Sequence, residues 1–231
     1  KVSKSNYDDF TGSAKVIITP KEAKVTWTNT DLTFNNAPQK PTATAAGVTG
    51  ETINLNVDGA KTDVGGPYTA TASIASVTNG KATNYTLSDT TCEFTIKVDT
   101  SIKFNVTLDK SEFTYDGTEH KPTPTVKVTF GGNTVTLDSD DYDFVHSNNI
   151  NVANGTTKPT VTITGKGNYD GITETINFTI NKRTLTVTPT AGLKKEFSYA
   201  DPAFGYSFNG QVSGEKPEFS GALARTTGET V

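Results

Sequence analysis

Methionine is absent from this 231-residue sequence, which holds one cysteine, one tryptophan and two histidines. The lone Cys92 excludes an intrachain disulfide. Lack of methionine fits an oxidising environment. His120 and His146 have no cysteine partner, and a zinc site needs more ligands than this at ordinary spacing. No run of 18 apolar residues occurs, so no membrane insertion of this segment is expected. The 21 basic and 25 acidic side chains are interspersed and net charge is −4. Without a basic patch, nucleic acid is not the expected partner. Long apolar stripes at 3.6-residue spacing are missing too, which argues against a helical protein. The sequence opens at Lys1 with no leader-like stretch, as an excised piece does, and that says nothing about export.

What is present suits strands and turns. Threonine, asparagine and glycine surround β-branched valine and isoleucine. Apolar residues are only 33%, but regular alternation and twelve phenylalanines argue against disorder. An internal repeat organises the chain. Phe94-Thr95-Ile96 recurs as Phe178-Thr179-Ile180. Asp31-Leu32-Thr33-Phe34-Asn35-Asn36, followed by Pro38 to Thr42, recurs 81 residues later as Glu112-Phe113-Thr114-Tyr115-Asp116-Gly117, followed by Glu119 to Thr123. Such a period means a row of small modules, each with its own core.

Residues 1–19 read as the C-terminal strands of a preceding repeat, with Val16 and Ile18 facing inward. Residues 20–98 form the first complete unit, with alternation at Val25 and Trp27, at Ile53, Leu55 and Val57, and at Tyr68 to Ile74. Residues 99–181 form the second. There Val126, Val128 and Phe130 lead through Gly131-Gly132 into a hairpin, and Tyr142 and Phe144 continue the pattern. Residues 182–231 are a partial third unit. The expected fold class is all-β: tandem small immunoglobulin-like β-sandwich modules in an elongated array. A β-grasp-like module is the alternative, with a short helix in the 37–50 region. Trp27, Phe34, Tyr85, Phe94, Phe113, Tyr115, Tyr169 and Phe178 are the expected core. The junction Phe178 to Val187 holds no glycine, proline or serine-rich linker, so the closing strand of one unit runs stiffly into the next.

The second unit carries a signature: Phe113-Thr114-Tyr115-Asp116-Gly117, Lys121-Pro122-Thr123, Asp141-Tyr142, Ser147-Asn148-Asn149 and Thr162 to Tyr169. It resembles the YDG-type repeats of bacterial surface proteins. The first and third units resemble the related MBG-type repeats of adhesins named for mucin binding. In the third, Leu185-Thr186-Val187-Thr188, Phe197-Ser198-Tyr199, Ala200-Asp201-Pro202-Ala203 and Gly228-Glu229-Thr230-Val231 fit the pattern. Two departures stand out: Asn35-Asn36 replaces the Asp-Gly turn, and Ala200 follows Tyr199 where many relatives have glycine. The resemblance implies a secreted protein on the bacterial cell surface or cell wall, with no enzyme activity. It implies tandem repeats that neighbour one another, acting as stalk or spacer in cell adhesion. Host mucin or extracellular glycans are the ligands it implies for the alternative, a binding module.

No catalytic residue, cofactor-binding residue or metal ligand is assigned, no cofactor is expected, and the ligand-binding residues are unknown. Asp138, Asp140, Asp141 and Asp143 form the densest acidic cluster, but the twelve-residue calcium loop with its final glutamate is missing. A solvated turn is expected. Cys92, in phase with Phe94 and Ile96, reads as a small buried hydrophobe. Gly165-Lys166-Gly167 opens no helix and is no phosphate loop. Trp27 reads as a core residue with its indole N–H paired. Sugar-stacking candidates are Tyr7, Tyr68, Tyr199 and Tyr206. Asn84, Asn105, Asn154 and Asn177 head glycosylation sequons, which matter only in a eukaryotic secretory pathway. A Lys–Asn or Lys–Asp crosslink could stand in for a disulfide.

Overall fold

The computed structural model describes residues 4–9 and 11–228. They are nearly all β, in several small sheets, with no α-helix among them. The chain divides into two compact units, Lys1–Asp99 and Thr100–Val231.

The first unit holds β1 (Lys21–Thr28), β2 (Asp31–Thr33), β3 (Thr42–Ala45), β4 (Thr52–Asp58), β5 (Gly65–Thr78), β6 (Tyr85–Ser88) and β7 (Thr91–Lys97). One sheet has the order β3-β1-β6 and the other β2-β7-β5-β4. Asn29, at φ 58°, turns the chain from β1 in the first sheet to β2 in the second. In β4 the period of two puts Ile53 inside and Thr52, Asn54 and Asn56 outside. Ala23, Ile53 and Tyr85 pack together with Leu55, Ile74 and Leu87 around them. Phe34, Ala70, Phe94 and Ile96 are also buried.

The second unit holds β8 (Asn105–Leu108), β9 (Glu112–Thr114), β10 (Pro124–Phe130), β11 (Asn133–Thr136), β12 (Tyr142–Ser147), β13 (Thr160–Gly165), β14 (Thr173–Asn177) and β15 (Thr179–Asn181). A hairpin follows, β16 (Thr186–Pro189) with β17 (Tyr206–Asn209). The sheets are β11-β10-β8, β12-β13-β14 and the pair β15-β9. The β10–β11 hairpin forms where the glycines place it. Phe130 pairs with Asn133 across Gly131 and Gly132, both at positive φ, as a two-residue hairpin turn requires. Val126, Val128, Val161, Ile163, Phe178 and Ile180 are buried.

Several expectations change. Residues 37–50 hold no helix, so the short helix invoked for a β-grasp module is not there; Thr42–Ala45 pairs with β1 instead. Among the described residues of 1–19 there is no strand, and Val16 and Ile18 are 82% and 93% exposed rather than inward. Their β-branched run is strand-like, but among the described residues no strand pairs with it to make a buried face. Phe144, on edge strand β12, is 40% exposed. Trp27, Phe113 and Tyr115 are half-buried, whereas Phe34, Tyr85, Phe94, Tyr169 and Phe178 are buried. Glu229 to Val231, the end of the third unit's pattern, lie outside the described residues.

Candidate functional site

The feature that recurs in both units is a strand pair and its turn. β2 runs parallel to β7, with Leu32 opposite Ile96. β9 runs parallel to β15, with Phe113 opposite Ile180. The flanking bonds are equivalent. Thr95 N–H donates to the Thr30 carbonyl and Thr179 N–H to that of Ser111, both at 2.9 Å. Beyond the pair, Phe34 N–H donates to Lys97 at 2.8 Å and Tyr115 N–H to Asn181 at 2.9 Å. In each unit an early strand is thus clamped to the last one. β1 and β6 are parallel as well, Lys21 opposite Tyr85.

The signature residues of the second unit interlock around this pair. His120 is buried and its ring stacks on Phe113, centroids 4.6 Å apart. Its Nε2 has no hydrogen-bond partner and lies 3.5 Å from Asp116 Oδ1. His120 N–H donates to the Asn149 carbonyl at 2.8 Å, and the buried Asn149 amide returns a bond to the His120 carbonyl at 3.0 Å. His146 Nε2 lies 2.9 Å from the carbonyl of the buried Pro122. Asn148 takes φ 55° to turn the chain there. Asp116 accepts from the Thr118 amide and hydroxyl at 2.9 and 2.7 Å. Those bonds, with help from His120 and Arg183, hold its carboxyl below the ordinary range. Tyr169 is buried near Phe104, and burial, then Asp141, pushes its hydroxyl up to about 12.

The remaining candidates lie apart. Around the acidic cluster, Asp138 and Asp141 bond each other's backbone, and the Lys166 ammonium meets Asp143 at 3.0 Å and the Ser139 carbonyl at 3.3 Å. This is a solvated turn with its own countercharge. Among the described residues, no group of three His, Cys, Asp or Glu side chains converges to hold a metal. Cys92 is half-buried, and burial raises its thiol pKa. The Trp27 indole donates to the Asp89 carbonyl at 2.9 Å. The Tyr68 hydroxyl is bonded to the Asp63 carbonyl at 3.1 Å and its ring leans on Phe94. Tyr7, Tyr199 and Tyr206 are exposed and scattered. Asn84, Asn105, Asn154 and Asn177 are exposed. Lysine–aspartate contacts such as Lys97–Asp31 and Lys24–Asp89, each 3.1 Å, lie on the surface. The buried polar side chains described are His120 and Asn149, so no buried carboxyl stands ready to catalyse a crosslink.

A shallow concavity of about 560 Å³ lies within the 148–157 loop, lined by Asn148, Asn149, Ile150 and Thr157. A smaller one, about 290 Å³, lies between Tyr115, Arg183, Leu185, Val212 and Glu215. Among the described residues no helix is long and apolar enough to cross a membrane. No protein-family model, curated protein or solved structure matches the chain.

Proposed function

We propose that the chain is a non-catalytic spacer segment of a secreted bacterial surface adhesin, built from tandem immunoglobulin-like modules of the MBG/YDG type. The parallel pairing of β2 with β7 and of β9 with β15 carries this reading. When a unit is pulled by its ends, tension reaches the early strand from its N-terminal side and the last strand from its C-terminal side. In a parallel pair those pulls slide one strand along the other and load all the bonds together. An antiparallel pair of the same strands would open one bond at a time. A segment that transmits load needs this geometry, and a catalyst does not. Signature residues also support the spacer. Phe113, His120, Pro122, Asn149 and Tyr169 are engaged in packing or backbone bonding, leaving few of them to meet a ligand.

The runner-up is a module that itself binds host mucin glycans or a protein. Exposed Tyr199 and Tyr206 favour it, since sugar rings stack on aromatic faces. A glycan array and a mucin pull-down on the 231-residue chain decide between the two. A spacer gives no reproducible ligand. A reproducible ligand at micromolar affinity establishes the binding module.

A further inference from the structure

The repeat signature includes Tyr115 and Gly117, and the core of the unit explains neither. Phe34 occupies the place of Tyr115 in the first unit. It makes the equivalent backbone bond and is buried without a hydroxyl. Asn36 occupies the place of Gly117 and takes φ 60° there, so the turn's left-handed conformation, φ 79° at Gly117, does not by itself demand glycine. Both residues of the second unit are used elsewhere. The Tyr115 hydroxyl donates to Glu215, a hundred residues along the chain. A Cβ on Gly117 would stand 2.8 Å from Val212 Cγ1, inside van der Waals contact.

Val212 and Glu215 are the two ends of one turn, closed by Glu215 N–H donating to the Val212 carbonyl at 3.1 Å. That turn follows β17. Arg183, between β15 and β16, donates to the Gly210 carbonyl at 2.6 Å and lies near enough to Asp116 to lower its carboxyl pKa. The closing strand, the next hairpin and the signature turn therefore meet at one place.

We infer that the Tyr115-Asp116-Gly117 turn is the docking site for the following repeat, which it grips through the 212–215 turn. The partner is the next module of the same chain, recognised by a carboxylate for the tyrosine hydroxyl and a small apolar side chain for the glycine notch. This holds whatever the chain's role at the cell surface, and does not rest on the spacer reading. The first unit, with Phe34 and Asn36, has neither the hydroxyl nor the notch.

Hydrogen exchange on the full chain tests the latch. Tyr115→Phe keeps the ring that the first unit uses, Glu215→Gln changes only the acceptor, and Gly117→Asn copies the first unit's residue. Each single change is expected to speed exchange of the β16 and β17 amides about three- to tenfold: Tyr115→Phe and Glu215→Gln by removing or weakening a hydrogen bond to a charged group at an exposed site, Gly117→Asn by crowding Val212. Exchange in β10 and β13 should stay unchanged, which shows that the second unit is folded. The Tyr115→Phe, Glu215→Gln double variant should match the singles rather than multiply them. Unchanged β16–β17 exchange in the singles, or multiplied effects in the double, would overturn the latch. If Tyr115→Phe disturbs β10 or β13, Glu215→Gln alone decides, because it lies outside that core.

Discussion

Leu32 lies opposite Ile96 across a parallel strand pair, and this register returns as Phe113 opposite Ile180. Isoleucine recurs on the closing strand, whereas Leu32 and Phe113 share only apolar character on the early strand, so an apolar face there is enough to keep the register. The amides of Phe34 and Tyr115 extend each pair by one further bond.

Phe34 is buried under the pair and has no polar atom to satisfy. Phe34→Ala should cost about 3–5 kcal/mol, as large-to-small core changes do. Trp27 belongs to the same unit and is the only tryptophan, so its fluorescence during urea unfolding reports that unit alone. A midpoint equal to that of the unchanged chain would show that the buried face is assigned wrongly.

Asn149 carries one of the few buried polar side chains, and its amide serves the His120 carbonyl. Asn149→Ala leaves that carbonyl without its side-chain partner and should cost about 1–3 kcal/mol. Asn148→Ala, at an exposed neighbouring position at positive φ whose amide donates to the Lys158 carbonyl at 3.3 Å, should cost about 1 kcal/mol through backbone strain and that exposed bond together. Thermal unfolding of both variants checks the order, and an Asn149→Ala protein as stable as the parent would contradict it.

Three aspartates have carboxyls below the ordinary range. Asp31 is held down by the Thr95 hydroxyl and then Lys97, Asp116 by Thr118, and Asp201 by Arg225 and then Lys195. Each binds its proton less readily folded than unfolded. Their stabilisation is therefore complete above the unfolded value, about 3.9, and is lost as pH falls through the lower folded values. All three are exposed, so salt should weaken the effect. Melting temperatures that do not fall between pH 4 and 2 would contradict this assignment.

How much of this was legible beforehand depends on the range of the interaction. The β10–β11 hairpin could be read because Gly131-Gly132 is a local signal flanked by alternating valines. The repeat of Phe94-Thr95-Ile96 located the closing strands. β3 was missed because Thr42 to Ala45 alternates threonine with alanine, too small a contrast to mark a face. The parallel pairing was illegible because its partners lie far apart in sequence and alternation looks alike in either strand direction. The same limit hid the meeting of Tyr115 with Glu215. Residues 16–18 show the converse: a strand-like pattern makes no strand without a partner.

Alkaline titration isolates one more buried group. Burial pushes the Tyr169 hydroxyl up to about 12, so the folded chain keeps its proton where the unfolded chain, near 10, has lost it. Its contribution to stability is intact below pH 10 and is lost as pH rises through the folded value. In a spectrophotometric titration of the eight tyrosines, the last step should vanish in Tyr169→Phe. Its persistence would assign the step to another tyrosine.

Pulling the molecule apart tests the parallel clamp most directly. With Cys92→Ser as background, the first unit can be held by cysteines at its two ends, or by cysteines at positions 35 and 98, which lie at the same end of the β2–β7 pair. End-to-end tension loads the parallel pair in shear, whereas the second arrangement peels it open from that end. The account predicts an unfolding force several-fold higher for the end-to-end pull. Equal forces in the two directions would contradict it.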